Sequence, residues 1–197
     1  RKEATRRAII SGALRLLDDR SFSALSLREV TREAGIVPAA FYRHFESMEA
    51  LGLILIDESF RSLRDMLRTA RADRLDPNRV IGSTVEILTA SVTEQRDHWR
   101  FIARERSSGV AVLRYAIRTE IRLITAELAT DLGRFPALRD WSTEDLTILA
   151  GLFVNAMILI AEALEEATDP AALDEITRTA VKQLRMIVVG VDGWRSS

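Results

Sequence analysis

Apolar residues recur every three or four positions along nearly the whole chain, and no segment alternates apolar and polar residues regularly enough to form a strand. That spacing restricts the fold to helices packed on helices. Ile9, Ala13, Leu16 and Leu17 define a first apolar face. Leu53, Ile56, Phe60, Leu63 and Leu67 define a second, in a helix opening near Ser47, a good N-cap. Ile81, Val85, Leu88 and Val92 follow, with Asp76 as cap and Pro77 at the first helical position. His98 to Arg106 reads as a short helix after Asp97, and Leu113, Ile117, Ile121, Ile124, Leu128 and Leu132 form a long stripe with Gly133 as C-cap. Ser142, with Asp145 three residues on, opens a helix carrying Leu146, Leu149, Phe153, Met157, Ile160 and Leu164. The last runs from about Pro170 with Ile176, Ala180, Leu184, Ile187 and Val191 inward. The expectation is an all-α protein of about nine helices, without repeats.

A chain of 197 residues holds one sizeable core, or a small module joined to a larger one. Its 28 Lys+Arg against 29 Asp+Glu give no bulk field, so any nucleic-acid site must be local. Residues 1–45 hold nine basic and five acidic side chains, a net +4 that leaves −5 for the rest. With no cysteine, a disulfide framework, thiolate catalysis and cysteine-based zinc sites are excluded, which suits a reducing cytoplasm. The absence of a visible signal peptide points the same way. The first residue is Arg rather than Met, which leaves room for a basic arm upstream. The most apolar stretch, 148–164, is interrupted by Asn155 and Glu162 and falls short of the ~20 residues of a bilayer span. It is expected to be a buried helix, with no membrane partner.

The segment 26–45 is the most informative. Ser26 and Glu29 form a capping box, after which Leu27, Val30 and Ala34 face inward for two turns. Gly35 stops the helix where a left-handed backbone is cheap, Ile36 plugs the corner, and Val37-Pro38 opens a short second helix with Val37, Phe41 and Phe45 on one face. Two short helices joined by a tight glycine turn are a helix-turn-helix, whose second member is free to enter a major groove. Its outward residues are Pro38, Ala39, Ala40, Tyr42, Arg43 and His44. Small side chains let the backbone approach base edges and thymine methyls, while Tyr42 and His44 suit phosphate oxygens. Arg28 reaches a phosphate or a guanine edge. A helical hairpin with a solvated face, and Tyr42 as a core-edge aromatic, give the same spacing.

The run Ser26-Leu27-Arg28-Glu29-Val30-Thr31-Arg32-Glu33-Ala34-Gly35-Ile36, followed by Phe41-Tyr42-Arg43-His44-Phe45, resembles the N-terminal domain of TetR-family transcriptional regulators. Shorter matches resemble the FabR/DesT-type repressors of unsaturated-fatty-acid genes: Ser21-Phe22, Asp57-Glu58-Ser59, Arg104-Glu105-Arg106-Ser107 and Gln183-Leu184-Arg185-Met186-Ile187. The resemblance implies a helix-turn-helix DNA-binding domain over 1–46 and a ligand-binding and dimerisation domain over 47–197. It implies a homodimer on double-stranded palindromic operator DNA. By the same resemblance Tyr42 and His44 contact phosphates, Arg28 contacts DNA from the preceding helix, and Ala39 and Ala40 meet base edges. Glu46 stands where many relatives have Lys, so one phosphate clamp is missing.

The helix from Ser142 has two apolar faces, and a helix apolar on both sides needs two neighbours. One serves the subunit core. The other, with Leu152, Asn155, Ala156 and Leu159, is expected to meet a second copy together with Leu184, Ile187, Val188 and Val191 of the last helix. Asn155 is either a register-setting contact or a ligand contact. The resemblance implies a long-chain acyl-CoA, or an acyl-carrier-protein thioester, as effector, saturated and unsaturated chains acting in opposite directions. An apolar channel for it would draw on Phe60, Trp99, Phe101, Leu113, Ile117, Ile121, Phe153 and Met157, although any helical core needs the same residues. Arg100, Arg104 and Arg106 would suit its phosphates, or form a surface salt-bridge patch with Glu105. Catalysis has little support: there is no Gly-x-Ser-x-Gly elbow and no phosphate-cradling glycine loop, and the two histidines are far apart in sequence. No cofactor or metal is expected. Two competing readings are a repressor of another hydrophobic ligand, such as a drug or efflux substrate, and, more remotely, a helical acyl-CoA-processing enzyme.

Overall fold

The computed structural model describes residues 2–70 and 77–196. Among the described residues there are nine α-helices and no strand. They are α1 (Lys2–Leu16), α2 (Leu27–Glu33), α3 (Pro38–Phe41), α4 (Met48–Ala70), α5 (Pro77–Glu94), α6 (Arg96–Glu105), α7 (Ala111–Leu132), α8 (Thr143–Glu166) and α9 (Pro170–Gly193). The all-α expectation therefore holds.

Side-chain caps place several of the boundaries. The Ser47 hydroxyl accepts the Ala50 N–H at 3.0 Å, Ser142 accepts that of Asp145 at 3.2 Å, and Asp169 accepts that of Ala172 at 2.9 Å just before Pro170. Each supplies an acceptor to a first-turn N–H that has no partner within the helix. The expected Asp76 cap and the Leu67 side chain lie outside the described residues.

Four expectations change. The α6 helix starts at Arg96 after Gln95, not after Asp97. A one-turn 3₁₀ helix over Phe22–Ala24 buries Phe22, and a search for the 3.6-residue period passes over so short a turn. On α4, Ile56 and Phe60 of the expected stripe are buried, but Leu53 is exposed and Leu51 and Leu55 are buried in its stead. Gly133 does not adopt a positive φ; a Cβ there would stand 3.1 Å from Leu146 Cδ1, so close approach keeps the position small.

The chain forms two compact units, one of residues 1–62 and 95–118, the other of residues 63–94 and 119–197. The expected boundary at 46/47 falls just before α4, which opens at Met48, and lies inside the first compact unit. In the first unit α1 packs on α2 and α6, and α2 on α3, around Ile9, Ala13, Val30, Phe41, Leu51, Leu55, Phe101 and Leu113, all essentially inaccessible. Each large side chain so buried contributes about 1.5–3 kcal/mol. In the second unit α5, α8 and α9 pack against one another around Val85, Leu88, Ala150, Leu164, Ala180 and Leu184.

The reading of 148–164 as a buried helix needs correction. By length and composition α8 is apolar enough to cross a membrane, and only 28% of its most apolar window is buried. Leu149, Val154 and Ile160 face the core, but Ile148, Leu152 and Leu159 are exposed.

Candidate nucleic-acid interface

The first unit builds the helix-turn-helix from local hydrogen bonds. Ser26 Oγ accepts the Glu29 N–H at 3.3 Å while Glu29 Oε2 accepts the Ser26 N–H at 3.0 Å, the two halves of a capping box. The Ser26 hydroxyl also donates to Glu29 Oε2 at 2.7 Å, and Arg20 donates to Glu29 Oε1 at 2.9 Å. These bonds, from the Ser26 hydroxyl first, then its backbone N–H, then Arg20, hold the Glu29 carboxyl down to about 2. At the other end of α2, Gly35 takes φ 68°, the Ile36 N–H bonds to the Thr31 carbonyl at 2.9 Å and the Gly35 N–H to the Arg32 carbonyl at 3.1 Å. That pair of bonds is a Schellman motif, and the left-handed residue it requires is glycine. Val30 is fully buried, Leu27, Ala34 and Ile36 are half-buried, and Thr31 is buried with its hydroxyl donating to the Leu27 carbonyl at 2.9 Å. Only Thr31 was absent from the expected inward set.

Helix α3 is one turn long, with Pro38 at its first position, and continues as tight turns in which Arg43 and His44 N–H groups bond back to Ala40 and Phe41. Phe41 and Phe45 are buried, their ring centroids 5.4 Å apart. Val37 does not share their face. As the extended N-cap it points outward and is 67% exposed. Pro38, Ala39 and Arg43 are exposed, and Ala40 and His44 half-buried. Tyr42 is 61% exposed, its ring meeting that of the buried Phe41 edge to face at 5.6 Å.

The ion pairs sort the basic residues of this unit. Arg7 pairs with Glu3, Arg15 with Glu33, and Arg20 with Glu29 and Asp19. Among the described residues before α4, the side chains of Lys2, Arg28, Arg32 and Arg43 carry no ion pair or hydrogen bond. Arg28 and Arg32 lie one turn apart on α2, and both are exposed. Lys2 and Arg43 share a depression with His44 just past α3, while Arg28 and Arg32 lie on α2, which packs on α3. Arg32 was missed by sequence reasoning, although its spacing from Arg28 was visible. Arg6 was missed as well: its guanidinium sits 4.7 Å from the centroid of the Phe45 ring and donates to the His44 carbonyl at 3.3 Å, fixing the end of α3 to α1.

The residues expected to bind an effector fall in both units. Phe60, Phe101, Leu113 and Ile117 are fully buried in the first, where Trp99 is half-buried; Ile121, Phe153 and Met157, in the second, are half-buried. The arginines of α6 are engaged elsewhere. Arg104 donates to the carbonyls of Leu17 and Arg20, both at 2.8 Å, and of Asp18 at 3.3 Å, and Arg100 pairs with the Asp18 carboxylate. These bonds satisfy carbonyls of the turn that follows α1, and they occupy Arg104 as a clasp on that turn. Arg106 is half-buried and has partners of its own. Glu105, expected on a surface patch, is fully buried and accepts the Phe22 N–H at 2.8 Å through Oε1. Beside it on α6, His98 Nδ1 lies 2.7 Å from the buried Ser59 hydroxyl, and burial pushes the imidazole pKa down.

On the second unit, Leu152, Asn155 and Leu159 are exposed on α8 and Ala156 is half-buried. On α9, Ile187, Val188 and Val191 are half-buried, whereas Leu184 is covered within the protomer and belongs to the core. Met186 and Val189, over 70% exposed, take its place on the open face.

Residues 9–53 match the model of bacterial regulatory proteins of the tetR family. The fold of the whole chain recurs in solved structures. A putative TetR-family transcriptional regulator from Mesorhizobium loti is 15% identical, with 96% of this chain and 97% of that one covered and a TM-score of 0.74. The fatty acid degradation regulator FadR from Bacillus halodurans is 12% identical over 98% and 97%, with a TM-score of 0.69. AibR, solved with isovaleryl coenzyme A and operator DNA, is 17% identical over 90% and 96%, with a TM-score of 0.67.

Proposed function

We propose, from the premise that this chain is a TetR-type regulator whose DNA-binding segment includes residues 9–53, that it is a cytoplasmic, homodimeric, ligand-responsive transcriptional repressor. The observation that carries the reading is the outward surface of the helix-turn-helix: a small-residue turn, Pro38-Ala39-Ala40, with exposed Tyr42 and Arg43 beside it and Arg28, Arg32 and Arg43 unpaired around it. Within residues 1–46, Ala39 and Ala40 approach base edges, Tyr42, Arg43 and His44 hold phosphates, and Arg28 and Arg32 extend the contact along the backbone. A second copy covers Leu152, Asn155, Ala156 and Leu159 on α8 with Ile187, Val188, Val191 and the exposed Met186 and Val189 on α9, which sets two recognition helices against one palindromic site.

The effector in this reading is a long-chain acyl-CoA, and the regulated genes serve fatty-acid desaturation or unsaturated-fatty-acid synthesis. Support comes from the scattered FabR/DesT-like matches and from the acyl-chain and coenzyme A themes of two proteins with the same fold. The acyl chain would occupy apolar surface supplied within the second unit by Ile121, Phe153 and Met157. Helix α6 would carry the signal, because Arg100, Arg104 and Glu105 fasten its last turns to the turn that follows α1 and to the Phe22 turn. Each ligand then acts only through its different affinity for two arrangements of α6. Fluorescence anisotropy of a labelled fragment upstream of a desaturation gene, titrated with palmitoyl-CoA and then oleoyl-CoA, tests this. Opposite shifts in DNA affinity are expected. No shift from either, with DNA still bound, points to a different hydrophobic effector, and turnover of the thioester points to an enzyme.

A further inference from the structure

The first turn of α1 and the end of α3 enclose an open depression of about 500 Å³ lined by Lys2, Glu3, Arg6, Arg43 and His44. Its charge is lopsided. Glu3 is drawn to Arg7 at 3.4 Å, whereas the side chains of Lys2 and Arg43 have no partner. Arg6 meets no carboxylate, and its guanidinium is held in place by the Phe45 ring and the His44 carbonyl. A cation already held in place loses little conformational freedom when an anion arrives. Lys2 lies outside both the helix-turn-helix and the 9–53 segment, so nothing in the recognition helix accounts for it.

We propose that this depression seats a DNA backbone phosphate, with Lys2 and Arg43 as the charged contacts and Arg6 as a positioning residue that fixes the wall formed by His44. The inference rests on the DNA-binding reading of α3 and extends that interface onto α1. A duplex is favoured over a free anion by continuity. Arg43 and His44 line the depression and also flank the outward face of α3, and a duplex carries one negative charge per about 1.7 Å of axis. Any duplex lying along α3 therefore brings phosphates past Lys2.

The test is the salt dependence of DNA binding by the full-length protein and its Lys2→Ala and Lys2→Glu variants. The Lys2 side chain is exposed and unbonded, so neither change disturbs the fold. One counterion released per protomer gives a slope of about 0.9 in log affinity against log salt. The wild-type dimer should thus lose about 12-fold more affinity than Lys2→Ala between 50 and 200 mM salt, a figure that follows from two such contacts. Lys2→Glu should weaken binding further at low salt, and both variants should lose affinity equally on operator and unrelated duplexes. An unchanged slope in both variants, with the wild type binding normally, overturns the seat, as does a loss confined to one base position. A wild-type protein that binds no duplex at all overturns the functional reading instead.

Discussion

The turn between α2 and α3 and the open face of α8 both lie on the surface, yet they carry information of different kinds. At the turn, each residue type answers a distinct local demand: Ser26 and Glu29 cap one end of α2, Gly35 supplies φ 68° at the other, and Pro38 starts the next helix. Exchanging Ser26 or Glu29 removes a specific bond, exchanging Gly35 strains the backbone, and exchanging Pro38 gives up the fixed φ that starts α3. On α8, Ile148, Leu152 and Leu159 satisfy only a demand for apolar area, which several residue types meet equally well. The contrast teaches that a site built from backbone hydrogen bonds writes itself into sequence, whereas a site built from apolar area writes only a period.

Substitutions test that contrast, beginning with the largest effect. Phe41→Ala empties a fully buried position behind α3 and should cost about 3–5 kcal/mol in denaturant unfolding, abolishing DNA binding by loss of the unit. Leu159→Glu touches no core, so the fold should persist while the dimer separates. Operator affinity should then fall by about 100-fold or more, because two linked half-site contacts become independent. Sedimentation equilibrium distinguishes the outcomes, and an undisturbed dimer would place the partner on another face. Tyr42→Phe and His44→Ala should each weaken DNA binding by roughly 5- to 10-fold, the net worth of one hydrogen bond. The loss should be uniform across sequences, since phosphates carry no base identity.

The smallest effect is in pH. The Glu29 carboxyl is held to about 2 in the folded chain, so its contribution is present above its unfolded value near 4.5 and is lost as pH falls toward 2. His98 titrates below 6.5 because burial disfavours its charged form, opposed by Asp97. The unfolded chain therefore takes up that proton first, and stability declines as pH falls from 6.5 through the lower folded value. Thermal melts should show both stages in the wild type. His98→Gln should remove the upper stage and Glu29→Gln the lower; persistence of both stages in the variants would contradict these assignments.

The fold was almost wholly legible, because helical periodicity and caps at Ser47, Ser142 and Asp169 are local properties of the chain. In the turn between α2 and α3 the capping box and the Gly35 stop were legible to the level of single hydrogen bonds, whereas Val37, expected on the Phe41 face, points outward. Three further features were not legible. Arg104 looked like one member of an exposed cationic cluster, and its bonds to the carbonyls of Leu17, Asp18 and Arg20 depend on chain segments more than 80 residues apart. Glu105 reads as a surface acid, yet it is buried because the Phe22 N–H needs an acceptor there. Leu184 and Met186 sit two positions apart on one apolar helix, and only the packing of α8 against α9 decides which is core and which is open.

The most direct measurement is a footprint of the purified protein on genomic DNA fragments, with affinity measured on each protected site. The account predicts a two-fold symmetric protected sequence whose half-sites are separated by one helical turn, about 34–36 Å, or a multiple of it, and clear preference for it over unrelated duplex. Protection without symmetry or sequence preference, or no protection at any salt concentration, would contradict the assignment of α2 and α3 as an operator-reading surface.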